Sequence, residues 1–530
     1  MKWLFALIIA IVLLSGFWIR WQLAINDPLW IDELHTSWVL SGRWSDIAPR
    51  AIAGNQSPLY FWFSYPIVQS LGQSPISLRL LSLVAGCLLP LVGTWAVWSR
   101  TGSLLGAFAT AVGLSFESHL VFYASEARPY SLVQFGGLVL ACTVFARFEG
   151  HDSGTHWSSL LLAMVLVLLH PTAILLTVSL ALLLFVGRCF PQRRDGWGLI
   201  LASLIGILLN PATSTWLGRQ GLWTGLVDFP QLLCPSIAML LAAWVFPSAI
   251  RSWMQRNERS SCPVAEPALG TDYAKLKSAH AAWYWLCCFL LPLLLATVVS
   301  WFQLSGLATP RYLAAIWSFP AIGLGLMIFD LPWKRGLAVA ALGLFLLGFG
   351  GLPWRTAQGW ELIRSNPLLV SLVRERALVG QRNEGWADVH QQLIARSTAT
   401  RPPIWLYPNL IEDDLLKSEK SNATRLREYL CFPLLGIYSV DGEQLEPRAF
   451  RAEQLLSAAD IEVLSQREVL VVVRCAESEL ESLAQAWQGD WETQDAAGKQ
   501  LKVDRIFSAG DVHLLSLQGA TEPRGAEQAN

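Results

Sequence analysis

The sequence predicts a polytopic α-helical membrane domain followed by a small α/β domain, and three observations predict it. Of the 530 residues, 53% are hydrophobic and only 15% charged, with a mean hydropathy of +0.41, whereas a soluble chain carries about a quarter charged residues. Apolar runs of membrane-spanning length crowd the first 350 residues, while the charges concentrate after Trp354. Beyond that point short apolar segments alternate with polar helical ones, as layers of strands and helices do. The net charge of −1 gives no basic face for nucleic acid. The 26 Trp suit the aromatic belts at membrane interfaces.

Taken in order, the N-terminus (MKWLFALIIAIVLLSGFWIRWQLA) has the look of a secretory leader. Its apolar run from Trp3 to Ile19 is longer than a leader's core and no A-x-A site follows, so it reads as a retained first helix. A crossing needs about 20 apolar residues. Runs of that kind fall near 3–24, 76–98, 103–122, 130–146, 157–169, 172–187, 197–210, 232–250, 281–302, 312–329 and 336–352, about eleven spans. The run 57–72 is short, aromatic and broken by Pro66, and reads as a helix lying along the interface. The basic residues agree with this count. With the N-terminus inside, the inner ends hold thirteen, clustered at 188–194 and 251–277, and the outer ends seven, as the positive-inside rule asks. Counting 57–72 as a span would turn every later basic cluster outward. An odd number of spans places the C-terminal domain outside the cell membrane, in a periplasm-like compartment of the cell envelope.

The expected domains are therefore a membrane domain over 1–353, with a first outer loop at 25–75 carrying juxtamembrane helices, an extracytoplasmic α/β domain over 354–518, and a disordered tail over 519–530. Segments 402–408, 469–475 and 511–518 read as strands. Most of the nine Cys lie in apolar runs, with no zinc spacing. Cys431 and Cys475 are the pair that an oxidising compartment could join as a disulfide.

The predicted topology gathers polar residues on the outer side. The first outer loop holds Asp32, Glu33, His35, Asn55 and Gln56; the later outer turns hold Glu126 and Arg128 in YASEARPYS, His170 in LLHPTA, and Arg311 and Tyr312 in ATPRYLAA. Ionisable residues beside a bilayer point to function. Guanidinium groups hold phosphate through a fork of donors and stabilise charge developing on a leaving phosphate. A carboxylate can take the proton of an acceptor hydroxyl. Asp32 and Glu33 are adjacent, so on a helix they diverge by about 100° and serve different tasks. Each residue also has a plainer reading. The acids suit a helix N-terminus, Arg79, Arg128 and Arg311 can reach to lipid headgroups, and His170 can be a satisfied helix-end group.

The order of the motifs resembles the GT-C superfamily of polyprenyl-phosphate-dependent glycosyltransferases, in particular the bacterial branch related to protein O-mannosyltransferases and the aminoarabinose transferase of lipid A (families 39 and 83). The resemblance runs through WIDELHTSWVLSG, QSPLYFWFSYPIVQSLG, SLRLLSLVAGCLLPLVGTWAVWSR, YASEARPYSLVQF, LLHPTA and PRYLAAIWSFPA. It implies a lipid-linked sugar as donor and a cavity under the first outer loop. Asp32 falls on the position of a base or metal-associated residue, with Glu33 beside it. Arg128 and Arg311, with Tyr312, fall on donor-phosphate positions. His170, Glu126, His35 and Arg79 are further candidates, and Tyr60 and Trp62 would line the lipid entrance. No cofactor is certain. The resemblance leaves room for a divalent metal on Asp32, Glu33 or His170, but Asn55 and Gln56 stand where relatives carry a His or an acid, and amides are poor ligands.

The function expected is transfer of a sugar from a polyprenyl-phosphate donor to a protein, lipid or glycan acceptor on the extracytoplasmic side. Two rivals are a transporter or flippase of lipid-linked sugars, which needs polar groups and broken helices at the midplane, and a non-catalytic membrane protein with a binding outer domain.

Overall fold

The structure is a computed structural model and describes residues 2–148, 156–186, 190–213, 270–302, 307, 311–329, 384–410, 428–440, 447–449, 458–494 and 499–521. The spans expected at 232–250 and 336–352 lie outside the described residues. Helices run in the order α1 (Lys2–Asn26), α2 (Ile31–Ser41), α3 (Ile47–Ala53), α4 (Pro58–Leu71), α5 (Pro75–Thr101), α6 (Leu104–Phe116), α7 (Ser118–Ala124), α8 (Tyr130–Phe148), α9 (His156–Leu169), α10 (Ile174–Val186), α11 (Phe190–Leu209), α12 (Gly270–Trp301) and α13 (Phe319–Phe329). Then come α14 (Trp386–Thr400), β1 (Ile404–Tyr407), β2 (Pro447–Ala449), α15 (Ala458–Gln466), β3 (Val469–Arg474), α16 (Glu477–Gln494), β4 (Lys499–Ala509) and β5 (Val512–Thr521).

The chain divides into two compact units. One holds Met1–Asn26, Asn55–Phe63 and Arg79–Gly380; the other holds Asp27–Gly54, Ser64–Leu78 and Gln381–Asn530. Most of the loop that the sequence attaches to the membrane domain is thus packed with the C-terminal part.

The first unit is helical. Among the described residues Trp3–Asn26, Pro75–Thr101, Tyr130–Arg147 and Trp283–Trp301 are long and apolar enough to cross a membrane, and three shorter apolar helices accompany them. The apolar side chains face outward as well as inward. On α1, Leu7, Ile11, Leu14 and Trp18 form an exposed stripe, while Arg20 and Ala24 are buried. A stripe of that kind is stable in hydrocarbon, where no hydrophobic force asks it to be covered. The small residues Gly106 and Gly325 let α6 and α13 touch: a Cβ on Gly106 would come to 2.5 Å from the Gly325 carbonyl. The run 57–72 folds as α4, 14 residues long, about 21 Å at 1.5 Å per residue.

The run 103–122 is not one continuous helix. It is α6 and α7, bent by 54° at Glu117. The break is built from charges far apart in sequence. Arg20, fully buried, donates to the carbonyls of Leu114 at 2.8 Å and Ser115 at 2.7 Å, the last turn of α6. Glu117 accepts the Leu120 N–H at 2.8 Å and so caps α7. It also accepts from His119 Nδ1 at 2.8 Å, and the His119 ring lies flat on Trp317 with centroids 4.0 Å apart. A cation at a helix C-terminus and a carboxylate at an N-terminus both oppose the local dipoles. Arg20→Met is expected to destabilise the protein by about 2 kcal/mol, because it strands buried carbonyls; the unfolding midpoint in detergent reads this. Arg20→Lys recovers only part, since a single ammonium cannot fork across both carbonyls.

The second unit is built on a five-stranded sheet in the order β2-β1-β3-β5-β4. β1 pairs in parallel with β2 and β3, and β5 is antiparallel to both β3 and β4. The segments read as strands at 402–408, 469–475 and 511–518 contain β1, β3 and the start of β5. Alternation on β3 sends Val469, Val471 and Val473 to the core that holds Trp487 and Trp491 of α16, while Leu470 and Val472 are buried on the other face. Cys431 and Cys475 are both buried free thiols, so the disulfide considered for them is not formed. Burial, with Glu479, Asp511 and Glu477 nearby, pushes the Cys475 thiol up to about 11.

Candidate functional site

In the first unit the site grows from the turn between α7 and α8. Pro129 has no N–H to extend α7 and stands just ahead of α8. The intervening chain is tight: the Arg128 N–H reaches the Glu126 carbonyl at 2.8 Å. Ser82 of α5 donates to the Arg128 carbonyl at 2.8 Å, and Tyr60 of α4 shares a hydrogen bond with Ser82 at 3.1 Å. Two helices thus hold the backbone of Arg128 from behind. Tyr60 is fully buried and forms part of this support. Trp62 is partly exposed.

Glu126 and Arg128 are buried. His170 sits in the turn after α9, with its ring centroid 5.3 Å from that of Tyr130 and 6.0 Å from that of Tyr312. Its Nδ1 is hydrogen-bonded to Thr172 Oγ1 at 2.7 Å. Burial, reinforced by the positive charges of Arg128 and Arg311, lowers the His170 pKa to about 3. The structure therefore brings together Arg128, Arg311, Tyr312 and His170, from three separate outer turns of the predicted topology. Two guanidinium groups beside a neutral imidazole and tyrosine rings make an anion-binding constellation. Arg79 is fully buried and donates to the Ala24 carbonyl at 2.9 Å, in the last turn of α1.

The depressed His170 has a measurable consequence. Below about pH 6.5 the unfolded chain takes up a proton at this imidazole that the folded chain refuses until about 3. Stability is therefore expected to fall as the pH drops through that window, by up to about 1.4 kcal/mol per unit. His170→Gln flattens that slope in acid unfolding curves.

In the second unit, Asp32 and Glu33 occupy the first turn of α2, where carboxylates are favoured by the helix dipole. Asp32 is half-buried and Glu33 buried. His35 is a packing residue: its Nε2 meets the Arg50 carbonyl at 3.3 Å and its ring lies among Trp38, Tyr429 and Phe432. Among the described residues no three His, Cys, Asp or Glu side chains group as a metal centre. Sequence reasoning missed Arg20, Glu117 and His119. The signal for Glu117 was an acid inside an apolar run, which a buried position tolerates only with partners for its charge.

No family model and no curated protein matches the chain. Solved structures do. ArnT from Cupriavidus metallidurans in the apo state aligns over 97% of this chain and 98% of its own, at 12% identity and a TM-score of 0.50. ArnT bound to undecaprenyl phosphate aligns over the same shares, at 13% identity and a TM-score of 0.53. The chain has the GT-C fold. Likeness over nearly the full length of both proteins takes in the GT-C membrane helices and the sheet-containing part alike, and at this identity the likeness is one of fold.

Proposed function

We propose that the chain is an inverting membrane glycosyltransferase that uses a polyprenyl-phosphate sugar. The observation that carries this reading is the meeting of Arg128 and Arg311 at a neutral His170 within a GT-C fold. That ArnT of the same fold binds undecaprenyl phosphate supports the choice of anion. In the reaction, the bond between the sugar's anomeric carbon and the phosphate oxygen breaks, and its electron pair leaves on the phosphate, where Arg128 and Arg311 stabilise it. The acceptor oxygen bonds to the anomeric carbon from the opposite face and gives its proton to Asp32. Glu33 orients the first turn of α2, and Tyr312 lines the phosphate site. The finer topology proposed is about eleven spans with the N-terminus inside and the sheet-containing domain outside.

The test is the purified full chain with a panel of undecaprenyl-phosphate sugars (aminoarabinose, mannose, glucose, galactose), scored for sugar release or transfer. Turnover with one donor is the expected result. Binding of undecaprenyl phosphate without turnover of any donor, or lipid translocation without bond cleavage, sinks the enzyme reading.

A further inference from the structure

Helix α2 begins without a cap of its own. The residue ahead of it is Trp30, which makes no side-chain cap bond, yet the first N–H groups of a helix need acceptors. The Ile31 N–H is taken by Glu384 Oε2 at 2.8 Å, from a residue 353 positions away. Glu384 is buried, and the same carboxylate accepts from Trp386 Nε1 at 2.7 Å and from Arg474 Nε at 2.8 Å. It is held in place by its backbone. Glu384 forms a bridge with Gly510, in the left-handed conformation (φ +59°) of the β4–β5 turn, and the Gly385 N–H donates to the Ala509 carbonyl at 3.0 Å. Only glycine fits at 385, because a Cβ there would stand 2.2 Å from that of Ala509. Further along α2, Ser37 Oγ accepts the Ile437 N–H at 2.7 Å, and Glu428 takes Trp38 Nε1 at 3.3 Å together with Arg50 of α3 at 2.6 Å. The helix is thus gripped at its start and along its middle by the C-terminal part of its own unit.

We propose that Glu384 is a positioning residue for catalysis: it fixes the first turn of α2, and with it Asp32. This rests on the assignment of Asp32 as base. The residue that Glu384 caps is the immediate neighbour of Asp32, in a helix turn that frays when its N–H groups lack acceptors. A displacement of about 1 Å at a catalytic group costs about a hundredfold in rate. The sheet-containing part therefore acts as the template for the catalytic helix, whatever part it takes in acceptor choice.

The experiment measures kcat and KM per folded molecule with the undecaprenyl-phosphate sugar that turns over in the panel, together with amide exchange of the peptide containing Ile31–Leu34. E384A is expected to lower kcat at least thirtyfold, leave KM within twofold and speed exchange of that peptide at least tenfold. E384Q, which keeps an acceptor oxygen at the same reach, stays within threefold of the parent. E384D keeps the charge but draws it back by one methylene, and loses about tenfold in kcat; it serves if E384A does not fold. In the double variant D32N/E384A the loss is no greater than in D32N alone, because Glu384 acts through Asp32. An unchanged kcat in both E384A and E384D, or the same factor lost in the D32N background, overturns the proposal. If D32N retains full turnover the base lies elsewhere. Faster exchange in E384A then still supports the clamp, and unchanged exchange overturns it independently.

Discussion

Asp32→Asn is expected to lower kcat for sugar transfer about a thousandfold, the scale of a lost general base, with binding of undecaprenyl phosphate unchanged. The substitution is nearly isosteric, so the first turn of α2 keeps its shape, while the amide cannot take the acceptor's proton. A half-buried residue at the second position of that helix carries little of the core, and the unfolding midpoint stays within a few degrees. Glu33→Gln, at the buried neighbouring position, serves as the comparison: it is expected to affect stability more and the rate less. A rate in Asp32→Asn within tenfold of the parent overturns the assignment of the base.

The second large effect is expected at the guanidinium groups. Arg128→Ala and Arg311→Ala each remove charge-assisted hydrogen bonds to a phosphate, about 1.5–3 kcal/mol apiece, so the Kd for undecaprenyl phosphate rises by about ten- to a hundredfold. Lysine at either position recovers only part of this, since it offers a point charge in place of a planar fork. The same variants carry an internal check. Both arginines hold the His170 pKa down, so removing either lets that imidazole titrate at higher pH, and the acid-unfolding window narrows from its lower end. Weaker lipid binding without that shift would mean that the substituted arginine does not stand beside His170.

The residues that gather around His170 were legible in the sequence as candidates. Arg128, His170, Arg311 and Tyr312 stand in three short polar turns between apolar runs, and a membrane confines such turns to its faces. The helix break was not legible, because its chemistry joins Arg20 of α1 to the end of α6. Periodicity reports which face of one helix is apolar; it carries no record of which distant side chain completes another helix's end. Arg79, which the sequence offered as a reach to lipid headgroups, proves for the same reason to be a buried donor to a backbone carbonyl. The Glu384 cap lies beyond sequence reasoning altogether. Glu384 stands in a polar stretch with no pattern of its own, and its value comes from a turn at Gly510 and from a helix that begins without a cap.

By itself the sequence determined the class of protein and where most of its apolar helices fall, since residue hydropathy sets those locally. It also determined the chemistry on offer, because carboxylates, guanidinium groups and imidazole are rare in such a setting and stand out. Tertiary structure alone decided which of these groups meet and what holds them. Hydrogen bonds close over hundreds of residues only after the chain is packed, and a buried donor or acceptor must then find whatever partner the fold has brought within reach.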